Sequence, residues 1–243
     1  MTSLAHQDTR QLGGRISVLT RQKADHAELD VLLHELDQTL PAEQDPVLRR
    51  IYRLVFPHAF AEESVLFPVL RRTVPDGPQL TLQIEQEHQE INELVTALEG
   101  MTADDPERTP TLERLTAVLR EDVRDEEDRL LPELQQRATR AELRRLGLAW
   151  ELVRRIAPTR AHPVVARRPP GNVAAALPLS LVDRTRDTVD LALQRGPVAV
   201  TPVLAVVSRA LTAVAHRLEH VGVVRRGEDP STTTERRQDP TQR

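Results

Sequence analysis

The chain contains no cysteine in its 243 residues, which excludes disulfides, thiolate zinc sites, iron–sulfur clusters and cysteine nucleophiles. Any metal must be held by nitrogen and oxygen, from His, Asp and Glu. Aromatic residues are scarce too: three Phe, one Tyr and one Trp leave the core to Leu, Val, Ile and Ala, which suits helix packing better than a β-sandwich. Lysine occurs once, at Lys23, so the basic groups are almost all arginine. No apolar run reaches the roughly 18 residues of a membrane-spanning helix, and the opening MTSLAHQDTRQLGGR has no signal-peptide core. A soluble, cytoplasmic protein without membrane association is expected. The formal charge of -4 and pI near 6.1 argue against general nucleic-acid binding.

What is present is helical periodicity. Apolar residues recur at helical spacing in four long segments, about Ile16–Leu40, Asp45–Arg72, Gln79–Leu98 and Pro110–Arg137, each closed by Pro, Gly or a polar cluster. Short connections between them predict an antiparallel up-down four-helix bundle, an all-α fold. A fifth helix, Arg140–Ile156, is expected to cap it. Pro57, Pro68 and Pro132 mark bends or late breaks. The organisation that follows is a flexible N-terminus (1–14), the bundle with its capping helix (15–157), a Pro/Arg-rich linker with little regular structure (158–178), C-terminal helices (179–224) and a disordered tail (225–243). The last helix carries an apolar stripe through Val203, Val207, Leu211, Val214 and Leu218. That stripe suits packing on the bundle, a homodimer or a partner helix better than lipid.

The chemistry lies in a repeat. HAFAEESVLFPVL, residues 58–70, recurs 64 positions later as DVRDEEDRLLPEL, residues 122–134, with the double Glu, the Leu, the Pro and the final Leu in register. His58 and Glu62 stand four residues apart, about 40° around an α-helix, and can grip one ion. Glu126 keeps its place in the second copy, while Asp122 occupies the histidine position. His26, in KADHAELDVLLHEL, and His88, in IEQEHQEINEL, supply imidazole from the other two helices. Carboxylate with imidazole suits iron, manganese or zinc. The bland alternative is a degenerate bundle whose His and Glu only hydrogen-bond in the core; the cost of burying several carboxylates without a cation favours metal.

These strings, DHAELDVLL, HAFAEESVLFPVL, EHQEINELV and EDVRDEEDRLLPEL, resemble the hemerythrin-like, or HHE cation-binding, family over about residues 15–137. The resemblance implies a non-haem di-iron centre, carboxylate-bridged, with His26, His58, Glu62, His88 and Glu126 at matching positions. Asp122 departs from it, because the family usually has histidine there. Asn92 also stands where the respiratory members carry a second histidine after His88. A single metal or manganese is therefore an alternative to two irons. The implied function is binding of dioxygen, nitric oxide or peroxide, or sensing of iron or redox state. A ferroxidase or peroxide-consuming enzyme is the second reading, and a metal-free helical interaction module the third.

Other polar residues carry plainer expectations. Glu63 and Glu127 sit about 100° from their neighbours and are expected on solvated faces, with accessory ligation as the alternative. His34 is a surface residue and Tyr52 core packing, with hydrogen bonding near a metal as the alternative. His216 and His220 have i, i+4 spacing but no third inward ligand. His6 falls in the N-terminal tail and His162 in the linker. The arginine clusters, Arg167 and Arg168 included, are expected on solvated faces.

Overall fold

The structure, a computed structural model, describes residues 2–195 and 201–232. Helix α1 (Val18–Asp37) runs into α2 (Gln44–Ala61), which continues through a π-helical turn, Glu62–Leu66, into α3 (Phe67–Thr73). Helix α4 (Gly77–Glu99) leads to α5 (Arg108–Asp125), which likewise passes through a π turn, Glu126–Leu130, into α6 (Leu131–Arg137). These are the four bundle helices of the all-α fold. Pro68 and Pro132 do not break them. Each lies in the first turn after a π segment, where its missing N–H costs little.

The bundle is layered along its axis. One apolar cluster joins Leu29, Leu33 and Leu36 of α1 to Ile51 of α2, Ile91 and Val95 of α4, and Leu115 and Leu119 of α5. A second joins Leu19, Phe67, Leu70, Ile84, Leu130, Leu134 and Trp150. In every bundle helix the buried His, Asp and Glu fall between these clusters, so a polar layer crosses the middle of an otherwise aliphatic core.

Helix α7 (Arg140–Ile156) starts at a capping box. Thr139 Oγ1 accepts from the Glu142 N–H and Glu142 accepts from the Thr139 N–H at 2.7 Å, which satisfies donors that a helix start leaves free. It lies against α1 and α2, where Gly147 allows backbone contact: a Cβ there would stand 2.1 Å from the Ile16 carbonyl oxygen. The N-terminal segment is packed rather than flexible. Leu4 and Leu12 are buried in the second cluster and Lys23 Nζ donates to the Ala5 and Gln7 carbonyls.

The linker is shorter than expected. Helix α8 (Gly171–Arg195) begins inside it and carries Pro178 within its length, then α9 (Thr201–Glu219) folds back along α8. Residues 157–170 form a strap along the bundle. His162 N–H donates to Asn92 Oδ1 (2.9 Å), Gln89 donates to the Pro163 carbonyl (3.0 Å), Arg167 reaches Gln89 Oε1 and Arg168 reaches Glu85. Arg167 is therefore buried and Arg168 paired, not a solvated face. Of the expected tail, residues 225–232 are ordered: Glu228 accepts from the Arg167 N–H and Thr232 is buried. Residues 233–243 lie outside the described residues. Along α9, Leu218 packs on a small core with Val165, Leu179 and Ala215, whereas Val203 and Val214 remain exposed. Among the described residues no helix is long and apolar enough to cross a membrane.

His162 closes the strap. It is buried between Glu219 (Nδ1, 2.8 Å) and Asp183 (Nε2, 3.0 Å), with Asn92 as its backbone partner. Burial opposes its charge, but the hydrogen bonds to Asp183 and Glu219 outweigh it and raise its pKa from 6.5 to about 9. A raised folded pKa gives stabilisation that is complete below about pH 6.5 and lost as pH climbs through 9, on the order of 2 to 3 kcal/mol. Limited proteolysis should find residues 157–170 better protected at pH 6.5 than at pH 9.5. His162→Gln should flatten that difference; an equal pH response in both proteins would assign the titration elsewhere.

Candidate metal centre

The polar layer is assembled from four helices. His26 comes from α1, His58 from α2, His88 from α4 and Asp122 from α5, while Glu62 and Glu126 open the two π segments. All are buried. The three histidines turn their Nε2 atoms toward the carboxylates: His26 to Glu126 Oε2 at 3.1 Å, His58 to Glu62 Oε1 at 3.4 Å and His88 to Asp122 Oδ1 at 3.5 Å. Two ligand-ready triads result, His26 with His58 and Glu126, and Glu62 with His88 and Glu126, each with its donor atoms within 4.8 Å of one another. Glu126 belongs to both. Asp122 lies beside the second triad without being part of it.

The other ring nitrogens face a second set of carboxylates. Nδ1 of His26 lies 2.9 Å from Glu127 Oε1, Nδ1 of His88 lies 2.9 Å from Glu63 Oε1 and Nδ1 of His58 lies 3.1 Å from Asp25 Oδ2. An Nδ1–H donated to a carboxylate fixes the tautomer and leaves the Nε2 lone pair pointing at the cluster. Rings are also held by packing: His58 meets Trp150 edge-on at 5.4 Å, and His88 stacks on Phe67 at 6.0 Å.

Glu63 and Glu127 are therefore inside the protein, which corrects the expectation of solvated faces. The reason is the π turn. An α-helix places the fifth residue after His58 well off its face, but a π turn closes i to i+5, and the inserted residue rotates Glu63 and Glu127 inward. Asp25 had no distinguishing signal, being one more acidic residue beside His26. Of the remaining candidates, His34 is exposed and Tyr52 buried in the bundle core, as expected. His216 and His220 are exposed with rings 4.4 Å apart and form no cluster with a third donor among the described residues.

The electrostatics are those of donors brought together ahead of a cation. Burial and the neighbouring Glu126 charge push both Glu62 and Asp122 up, Asp122 well above the carboxylate range. Glu126 is held well below it despite burial, because the imidazoles of His26 and His58 lie 3.1 and 4.0 Å from its Oε2. Burial disfavours charge on His88 too, yet Asp122 and Glu63 raise it to about 10. Both oxygens of Glu62 and of Glu126, Oδ1 of Asp122 and Nε2 of His26 are buried without a hydrogen-bond partner. Buried polar groups are almost always satisfied. Six orphaned atoms converging in one layer fit divalent or trivalent cations with nitrogen and oxygen ligands. Beside them is a cavity of about 20 Å³ reaching His26, His58, His88 and Asp122, walled by Leu29, Leu54, Val55, Leu119 and Val123.

Comparison with known proteins bears on this layer directly. The model of the hemerythrin HHE cation binding domain matches residues 6–134. An uncharacterized hemerythrin-like protein of Schizosaccharomyces pombe is 25% identical over 134 residues, 55% of this chain and 66% of its own length. A DNA nickase of Nostoc is 28% identical over 109 residues, 44% of this chain and 30% of its own length. The chain thus spans less than two thirds of either relative. No solved structure matches it.

Proposed function

Since the chain belongs to the hemerythrin HHE cation-binding family, we propose that His26, His58, Glu62, His88, Asp122 and Glu126 hold a pair of iron ions, with Glu126 shared between them, and that the centre binds dioxygen, nitric oxide or peroxide. The observation that carries this reading is the set of six orphaned, buried donor atoms. Without metal their nearest partners are each other, at 3.1 to 4.0 Å and without hydrogen-bond geometry, contacts that a cation between them would replace. Bound iron supplies redox and Lewis-acid chemistry.

The chain's own residues do the rest. Glu127, Asp25 and Glu63 orient the three imidazoles and raise their basicity as ligands. Leu54, Val55 and Leu119 wall a space of about 20 Å³ that admits a molecule of one or two heavy atoms, since a single water needs roughly 10–15 Å³. Asp122 adds negative charge where the family usually has neutral imidazole, which favours Fe(III) over Fe(II). That donor set, three histidines and three carboxylates, supports a second reading as a ferroxidase or peroxide-consuming enzyme.

Iron analysis of protein purified from iron-supplemented cells, followed by absorption spectra with oxygen and azide, tests both readings. About two irons per chain are expected. Fewer than roughly 0.2 of any metal per chain would overturn both, and a single ion or manganese would revise the metal set. A stable oxygenated spectrum supports binding, whereas sustained consumption of Fe(II) or peroxide supports catalysis.

The second set of carboxylates has its own expected outcome. Glu127→Gln removes no proposed ligand but replaces the anionic acceptor behind His26 with a neutral amide, and iron affinity measured against a competing chelator should fall about 10- to 100-fold. Wild-type affinity in that variant would show that Glu127 does not set the orientation of His26.

A further inference from the structure

A second site lies where the strap and α8 meet the end of the bundle. Tyr52 and Arg49 of α2, Arg108 at the start of α5, Arg160 of the strap and Arg186 of α8 line a cavity of about 220 Å³. Four guanidinium groups from four parts of the chain thus face one space.

The hydrogen bonding of Arg108, Arg160 and Arg186 is incomplete. Arg108 is held by Asp45 at 2.6 Å, and Arg160 by Asp187 at 2.9 Å and Asp190 at 2.5 Å. Each nevertheless keeps a buried Nε with no partner, although both side chains are at least nine-tenths buried. Arg186 goes further. Its Nε is buried and unpartnered, and among the described residues it makes no hydrogen bond or ion pair. Burial and the like charge of Arg160 pull its pKa below the usual guanidinium range. Tyr52 is 9% exposed, and its hydroxyl is held protonated by burial and the nearby Glu99, so it remains a donor.

We propose that this cavity binds a small phosphate-bearing molecule, gripped by Arg186, Arg108, Arg160 and the Tyr52 hydroxyl. Arg186 is half-buried and bonds to none of the carboxylates near it, Glu99, Asp183 and Asp190, so its terminal nitrogens are available to an anion in the cavity. The donors arrive from several directions. A tetrahedral phosphate offers oxygens to all of them, whereas a planar carboxylate engages one fork. Asp45, Glu99 and Asp190 in the same lining limit the negative charge the site accepts, which favours a phosphate monoester over a polyphosphate. The volume falls below that of ordinary drug-sized pockets, so the ligand is small. Because Arg160 and Arg186 belong to the strap and α8 while Arg108 and Tyr52 belong to the bundle, the ligand ties the two together.

Thermal unfolding and titration calorimetry of the full chain, with inorganic phosphate, glycerol phosphate, acetate and chloride at matched ionic strength, test this. Phosphate and glycerol phosphate should raise the wild-type melting temperature by mass action, while acetate and chloride should not. Arg186→Gln should weaken phosphate binding at least about tenfold, and Tyr52→Phe should weaken it by a smaller factor. Without phosphate, Arg186→Gln should melt close to wild type, because Arg186 makes no hydrogen bond or ion pair to lose, and unchanged iron content would confirm its fold. The proposal is overturned if millimolar phosphate leaves wild type unshifted, if the Arg186 variant responds as wild type does, or if acetate binds as tightly.

Discussion

Glu126→Gln should lose both irons, taking metal content from about two per chain to below roughly 0.2, the largest effect of any single substitution in the proposed centre. The expectation rests on Glu126 alone serving both triads. Removing His26 or His88 leaves one triad with its full set, but an amide at position 126 deprives both of their common anion. It also leaves His26 Nε2, 3.1 Å away, facing a neutral group. The amide keeps the shape of the side chain, so the loss can be separated from collapse of the fold by circular dichroism. Retention of one tightly held ion per chain would mean that the triads are independent and that Glu126 does not join them.

Gly147→Ala should be among the most damaging changes outside the polar layer, costing about 3 kcal/mol or more. A methyl at this position would meet the Ile16 carbonyl oxygen at 2.1 Å and the Val18 nitrogen at 2.8 Å. Both are backbone atoms, so no side chain can turn aside and α7 must move away. That helix carries Trp150, edge-on to His58, and Arg154, 3.6 Å from Asp25. Denaturant titration should show the lost stability. Iron retention at room temperature should fall with it, because His58 loses its outer wall and Asp25 its cation. A variant as stable as wild type would mean that α7 docks with slack not evident in the contact.

Much of this was legible from the chain alone, and the exceptions share a physical cause. Apolar spacing located the bundle helices and α7 to within a few residues. The repeat located Glu62 and Glu126, because position in a repeat is preserved whatever the local twist. Glu63 and Glu127 were misplaced because every angular argument assumed 100° per residue, and both stand where the helix departs from that value. The start of α8 was hidden by composition. Pro169, Pro170 and Gly171 read as linker, yet Pro170 leads into the helix and Gly171 is needed where a Cβ would stand 2.5 Å from the Arg226 carbonyl oxygen. His162 carries no sequence signal, and Arg167 and Arg168 read as solvated faces, because their partners are distant in sequence and nothing periodic announces a contact between residues 162 and 219.

Arg167 lies beyond the segment matched by the family model, yet its guanidinium comes within 3.9 Å of Glu63, the carboxylate behind His88. One glutamate therefore touches both the polar layer and the strap. His88 and Arg167 thus draw on the same anion, one through a hydrogen bond at 2.9 Å and the other through a longer ionic contact.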